Sequence, residues 1–252
     1  MAHPTHPLRL AALAACLATP AAALDLEALS AAERAAFRAE VRAYLLEHPD
    51  VLLEAIAVLE DRQAEAQTAD DATLIARHAE AIFADPASWV GGNPEGDVSV
   101  VEFVDYNCGF CKRAFAEVME LTEVDPGVRL VMKELPILGP ESQEASRFAI
   151  AVLQLEGDAA YAEAHERLLG LPGPANAAAL RRVAERMGLE MDAIAERMGA
   201  PEVSEVIARN RALAQQLGIN GTPTFVIEDR MVRGYVPLAA MRELVETVRE
   251  GG

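Results

Sequence analysis

The sequence predicts an α/β protein whose sheet is interrupted by a long helical block and preceded by a helical segment. Three observations predict it. Val98–Asp105 and Val128–Leu135 are short, apolar, β-branched runs on either side of one helix-length stretch. Strand, helix and strand within about 40 residues make a βαβ unit with parallel strands. Residues 141–217 carry only helical spacing, broken by Gly and Pro into Ser142–Leu155, Ala159–Leu169, Ala175–Met187, Asp192–Met198 and Glu202–Leu217. Phe225–Glu228, the tight turn Asp229-Arg230 and Met231–Gly234 then read as a hairpin, closed by a helix over Leu238–Arg249.

Composition bounds the function. The chain has 252 residues, 52% of them hydrophobic and 5% aromatic, with a formal net charge of -18. That apolar content excludes a disordered protein. Length allows one large domain with an appendage. The acidic balance argues against nucleic acid and anionic membrane surfaces as main partners. No apolar run reaches the ~20 residues of a transmembrane segment.

Residues 1–23 read as a cleavable secretory signal: Arg9, the apolar run Leu10–Thr19, then Pro20 and an A-x-A site at Ala21-Ala22-Ala23, with no Asp or Glu. Leu13-Ala14-Ala15-Cys16 resembles a lipoprotein cleavage box, but its apolar stretch is short, so a soluble periplasmic product is favoured over anchoring at Cys16. Cleavage after Ala23 leaves two cysteines, Cys108 and Cys111, in an oxidising compartment. The loop they would close is too tight for a useful structural staple, so the pair is there for chemistry.

Residues 24–85 read as an N-terminal helical segment. Ser30-Ala31-Ala32-Glu33 fits a capping box, with Phe37, Val41, Tyr44 and Leu45 at helical spacing behind it. His48-Pro49-Asp50 ends this helix and starts another, striped by Leu52, Ile56 and Leu59. The polar stretch Asp61–Asp71 fits a hinge or a solvated helix, and Leu74–Phe83 is amphipathic again. These stripes need a partner, which is either the main domain or further copies of the chain. Asp85-Pro86 and the Gly- and Pro-rich stretch to Asp97 mark a boundary, so residues 86–252 form the second domain.

The chemistry concentrates in Asn107-Cys108-Gly109-Phe110-Cys111-Lys112, which opens the helix after the first strand. There the unpaired N–H groups and the helix dipole favour a thiolate at Cys108. Cys111, one turn on, is placed to resolve a mixed disulfide. A closed zinc site needs two more ligands, and neither a second CxxC nor an HxxxH exists. Copper(I) on Cys108 and Cys111 stays open, because soft thiolates suit it. No cofactor is called for. His48, His78 and His165 read as structural, and Lys112 as a solvated helix residue. Glu102 is a carboxylate in an apolar strand, costly unless used or paired, with Lys133 of the next strand as its candidate partner.

A strand running into CxxC, and a later Gly221-Thr222-Pro223-Thr224 before a hairpin and terminal helix, resemble the thioredoxin fold. The helical block between the two halves resembles the DsbA-like branch. The resemblance covers residues 86–252 and implies a protein thiol–disulfide oxidoreductase. It makes Thr222-Pro223 the cis-proline loop, able to pair with an extended substrate strand. It makes Gly109-Phe110 the dipeptide that tunes redox potential, of the isomerase type rather than the oxidising Pro-His type. It makes Glu102 the buried acid that moves protons for the resolving cysteine.

The stretch from Ala43 to Ile56 resembles the N-terminal extension of the suppressor of copper sensitivity protein C group. That resemblance implies a homo-oligomer, a trimer above all, acting as a disulfide isomerase on protein substrates and kept reduced by a membrane thiol reductase. A monomeric dithiol oxidase and a copper(I) carrier are the alternatives.

Overall fold

The computed structural model describes residues 29–251. The expectations for residues 1–23, including Cys16, lie outside the described residues. Two compact units divide after Glu60.

The first unit holds helix α1 (Ala31–Glu47) and the start of α2 (Asp50–Arg77). Ser30 caps α1 through the expected box: its Oγ accepts the Glu33 N–H at 3.3 Å, while the Glu33 carboxylate accepts the Ser30 N–H at 2.9 Å. No residue of α1 is buried. Asp61–Asp71 continues α2 as a helix that is mostly exposed, as the solvated-helix alternative expects.

The second unit is built on a five-stranded sheet in the order β1-β3-β2-β4-β5. The strands are β1 (Trp89–Gly92), β2 (Val98–Val104), β3 (Val128–Glu134), β4 (Thr224–Ile227) and β5 (Arg230–Arg233). β2 and β3 run parallel through the crossover helix α4 (Gly109–Val124), and the other pairs are antiparallel. β1 is an addition to the expected elements, because Gly91-Gly92 reads as a turn. Gly91 is required by close approach, since a Cβ there would lie 2.0 Å from the Trp89 ring.

The helical block consists of α5 (Pro140–Glu156), α6 (Asp158–Leu169), α7 (Ala177–Met187), α8 (Met191–Met198) and α9 (Pro201–Gln216); α10 (Leu238–Gly251) closes the chain. Strand alternation divides the core into two layers. Val98, Val100, Val104, Leu130, Met132 and Phe225 face α4, α6 and α10. Val101, Phe103, Val131 and Val226 face the other way, onto Leu213 and Leu217 at the end of α9, Ile75 of α2 and Ile82 of α3 (Ala79–Phe83). The segment expected to be helical over 24–85 is so from Ala31 to Phe83 apart from short breaks, and its last part is core of the second unit.

Candidate functional site

β2 delivers the site. Its last residues lead into the turn Asp105-Tyr106-Asn107, and Cys108 is the N-cap of α4. Each turn residue is tied down by its side chain. Asp105 accepts the N–H groups of Asn107, Ile137 and Leu138 at 2.8–3.0 Å. Asn107 reaches Ser142 Oγ at 3.2 Å and accepts the Ala175 N–H at 3.2 Å. Tyr106 donates to Glu134 at 2.7 Å. The helical block thus holds the turn that presents the cysteine.

The two thiols are free and differ sharply. Cys108 keeps 7% of its surface exposed, and Cys111 none. The hydrogen bond from Cys111 lowers the Cys108 thiol to about 5; burial opposes this, and the N–H groups of Cys111 and Phe110 at the helix start add to it. Cys111 is held far above the ordinary thiol range, first by the same hydrogen bond and then by burial and the charge of Glu102. A thiol that favours the thiolate and one that keeps its proton therefore share one helical turn.

The Thr222-Pro223 peptide bond is cis. The Cys108 sulfur lies 3.1 Å from the Thr222 carbonyl oxygen, so this loop and the start of α4 meet. Gly109 has no neighbour within 4 Å of where a Cβ would stand, and Phe110 is 60% exposed. The dipeptide faces solvent beside the nucleophile.

Glu102 is buried in the middle of the sheet, and its Oε1 has no hydrogen-bond partner. Burial, then the negative charges of Cys108 and Glu134, push its carboxyl up to about 8. The expected partnership with Lys133 does not exist. Glu102 is in register with Met132, whereas Lys133 is in register with Phe103 and shares its opposite face of the sheet. Lys133 instead donates to the Ala81 carbonyl at 2.7 Å and to Asp85 at 2.9 Å. Lys112, expected as a solvated helix residue, is half-buried, and its Nζ donates to the Leu171 carbonyl at 2.7 Å.

Sequence reasoning missed Glu134. This buried carboxylate accepts from Tyr106, Tyr161 and Ser146, and His165 Nδ1 lies 2.9 Å from the Tyr106 hydroxyl. Burial holds the His165 ring neutral by lowering it to about 3. An acid directly after Lys133 in an apolar strand was the available signal. Among the described residues no group of three or more His, Cys, Asp or Glu is arranged to hold a metal ion.

Comparison with known proteins agrees with this geometry. Residues 33–66 match the copper resistance protein ScsC N-terminal domain. A thioredoxin-like oxidoreductase from Silicibacter pomeroyi DSS-3 is 47% identical, with a TM-score of 0.64 over 68% of this chain and 97% of that one. A linker-deleted variant of Proteus mirabilis ScsC is 26% identical, with a TM-score of 0.68 over 89% of this chain and 99% of that one. The Na(+)/H(+) antiporter NhaA 3 of Salinispora tropica is 32% identical over 158 residues, which are 62% of this chain and 24% of that protein. The chain thus spans about a quarter of the length of the curated relatives it matches. Among the described residues no helix is long and apolar enough to cross a membrane. Residues 99–246, more than half of the chain, match the DSBA-like thioredoxin domain, and the chain belongs to that family.

Proposed function

We propose that the protein is an exported, periplasmic disulfide isomerase working through the Cys108 and Cys111 dithiol. The observation that carries this reading is the inequality of the two thiols. Cys108, lowered to about 5, is a thiolate at neutral pH; Cys111 is buried and keeps its proton.

The Cys108 thiolate attacks a substrate disulfide, forms a mixed disulfide and expels one substrate thiolate. That thiolate attacks another disulfide in the same substrate, and a later substrate thiolate attacks the mixed disulfide and releases Cys108 unchanged. No net electrons move. If the substrate stalls, Cys111 gives its proton to ionised Glu102 and attacks the Cys108 sulfur. It expels the substrate as a thiolate and leaves a Cys108–Cys111 disulfide. A membrane thiol reductase then returns two electrons, Glu102 gives its proton back to Cys111, and Cys108 is restored as the thiolate. Glu102 works in both directions, since a group pushed up to about 8 exchanges protons readily near neutral pH. The main chain around Thr222 and Pro223, with Gly109 and Phe110, would bind an extended substrate segment.

Isomerisation is favoured over oxidation by the N-terminal segment. Nine of the fourteen exposed large apolar side chains among the described residues lie between Phe37 and Leu59. An uncovered stripe of this size marks an interface. Within the segment 24–85, we assign it to self-association, with a trimer as the leading arrangement. Several thiol pairs on one assembly raise the effective thiol concentration at a bound substrate. The match of residues 33–66 to the ScsC N-terminal domain supports the assignment. Residues 1–23 would be the export signal, and residues 86–252 the catalytic domain with its insertion over 141–217.

Reactivation of a scrambled, disulfide-bonded ribonuclease tests this. The full chain should restore activity and Cys108→Ala should not. A chain that only introduces disulfides into reduced substrate, and leaves the scrambled one inactive, would be an oxidase.

A further inference from the structure

Glu134 and Glu102 lie on one face of the sheet. β2 and β3 are parallel neighbours, with Glu102 opposite Met132 and Val104 opposite Glu134. The two acids therefore occupy diagonal positions on the face that carries Val104 and Met132, which share one core cluster with Cys111 of α4. Both are buried.

The surroundings of Glu134 are built for a charge. Tyr106 and Tyr161 donate to its Oε1 at 2.7 and 2.6 Å, and Ser146 donates to its Oε2 at 2.7 Å. Three hydroxyls converging on two oxygens are what a buried carboxylate needs to stay ionised. They come from the turn before Cys108, from α6 and from α5. α9 contributes only Asn210, whose Nδ2 donates to the Glu134 main-chain carbonyl at 3.1 Å. No ion pair to Glu134 exists among the described residues. His165 of α6 is neutral, and the Asp105 carboxylate adds to the negative field.

We propose that Glu134 is a positioning residue for thiol exchange that acts through Glu102: its charge, held by three hydroxyls, keeps on Glu102 the proton that Cys111 gives up and takes back. The proposal rests on the reading of Glu102 as proton carrier. Three hydroxyls hold the Glu134 charge against burial, which pushes it up to about 7, whereas Glu102 Oε1 has no partner and burial pushes that carboxyl up to about 8. Once charged, Glu134 opposes a second carboxylate on the same face and makes Glu102 the stronger base. In resolution the Glu102 carboxylate takes the proton from the Cys111 thiol. The resulting thiolate forms the bond to the Cys108 sulfur as the substrate sulfur leaves. In reduction the steps reverse, and Glu102 returns the proton to the departing Cys111.

The test uses the full chain with Cys108 preloaded as a mixed disulfide with glutathione. The rate of glutathione release by Cys111 is followed against pH. Wild type should show a rise with one midpoint. Glu134→Gln should lower that midpoint by about one pH unit, because a neighbouring charge has gone. Ser146→Ala, which leaves the carboxylate in place with one donor fewer, should move it the same way by less; it decides the matter if the Gln variant fails to fold. Glu102→Gln separates the two readings. A wild-type profile in Glu102→Gln would remove Glu102 as proton carrier, whatever Glu134 does. A flattened profile there, with the midpoint unmoved in Glu134→Gln and Ser146→Ala, would overturn the proposal and leave Glu134 as a packing group.

Discussion

The Cys108 sulfur lies 3.1 Å from the main-chain carbonyl oxygen of Thr222, a residue 114 positions further along the chain. That contact joins the two halves of the sheet at the nucleophile. It leaves Cys108 as the N-cap of α4, where the Cys111 thiol can hydrogen-bond to it. The site is therefore made by long-range closure of the fold, while the electrostatics of the thiolate are local to one helical turn.

The thiolate should be visible in alkylation. In wild type the rate of Cys108 modification by iodoacetamide should rise with a midpoint at about 5. In Cys111→Ala, which removes the largest cause of the shift, the midpoint should rise by about one unit or more. A wild-type midpoint near the ordinary value of 9.0 would refute the account.

The same shift makes the reduced protein pH-dependent in stability. The folded value of Cys108 is depressed, so its contribution is fully present above the ordinary thiol range and is lost as pH falls through about 5. Between those limits the reduced form should gain on the oxidised form as pH rises. Urea midpoints of the two forms across this window measure it. An unchanging difference would mean that folding does not favour the thiolate.

Glu102 has the opposite sign. Its folded value is raised from 4.5 to about 8, so its contribution is present at acid pH and is lost as pH climbs through that interval. Glu102→Gln should therefore become more stable relative to wild type as pH goes from 5 to 9. Its release of mixed disulfide should slow at least about tenfold, a typical contribution of a positioned acid or base. A constant difference in Tm over that range would show that the acid is not buried in the folded state as described.

Lys133 provides a control. It has no exposed surface and holds Asp85 at 2.9 Å and the Ala81 carbonyl at 2.7 Å, on the far side of the sheet from Glu102. Lys133→Met should lower stability by about 2 kcal/mol, below the ~3–5 kcal/mol for breaking a fully buried pair, since Asp85 keeps some access to water. The midpoint of Cys108 alkylation should not move. A shift there would mean that the lysine acts on the thiol pair after all.

These contrasts show what one chain of letters could and could not reveal. The order of elements in the second unit was legible because β2, β3 and β4 are short β-branched runs and helices α5 to α8 each end at Gly. The unequal thiol pair was legible because its properties arise within a single turn, Cys108 to Cys111. β1 was not: Trp89-Val90-Gly91-Gly92 carries turn residues, and only the indole lying over Gly91 explains why glycine stands in a strand. The partner of Lys133 was not legible either. Whether Glu102 and Lys133 share a face depends on the register of two parallel strands, and a shift of one residue reverses the answer. Glu134 needed three hydroxyls from separate elements to become noticeable, and no spacing in the sequence records them.

The final prediction concerns the N-terminal helices. Leu52, Ile56 and Leu59 are each about half exposed, at 48%, 51% and 55%, and recur on one face of α2. Phe37, Val41 and Tyr44 do the same on α1, in which nothing is buried. A 17-residue helix without a buried face is marginal by itself in water. Burial between copies would supply what the single chain lacks. Leu52→Glu combined with Ile56→Glu should reduce the mass measured by light scattering to that of one chain. Isomerase activity should then fall about tenfold through loss of effective concentration, while reduction of a small-molecule disulfide by Cys108 stays within about twofold, because the groups described at the thiol site belong to the second unit. A monomeric double variant with full isomerase activity would separate self-association from isomerisation. A variant that stays oligomeric would place the interface elsewhere on the chain.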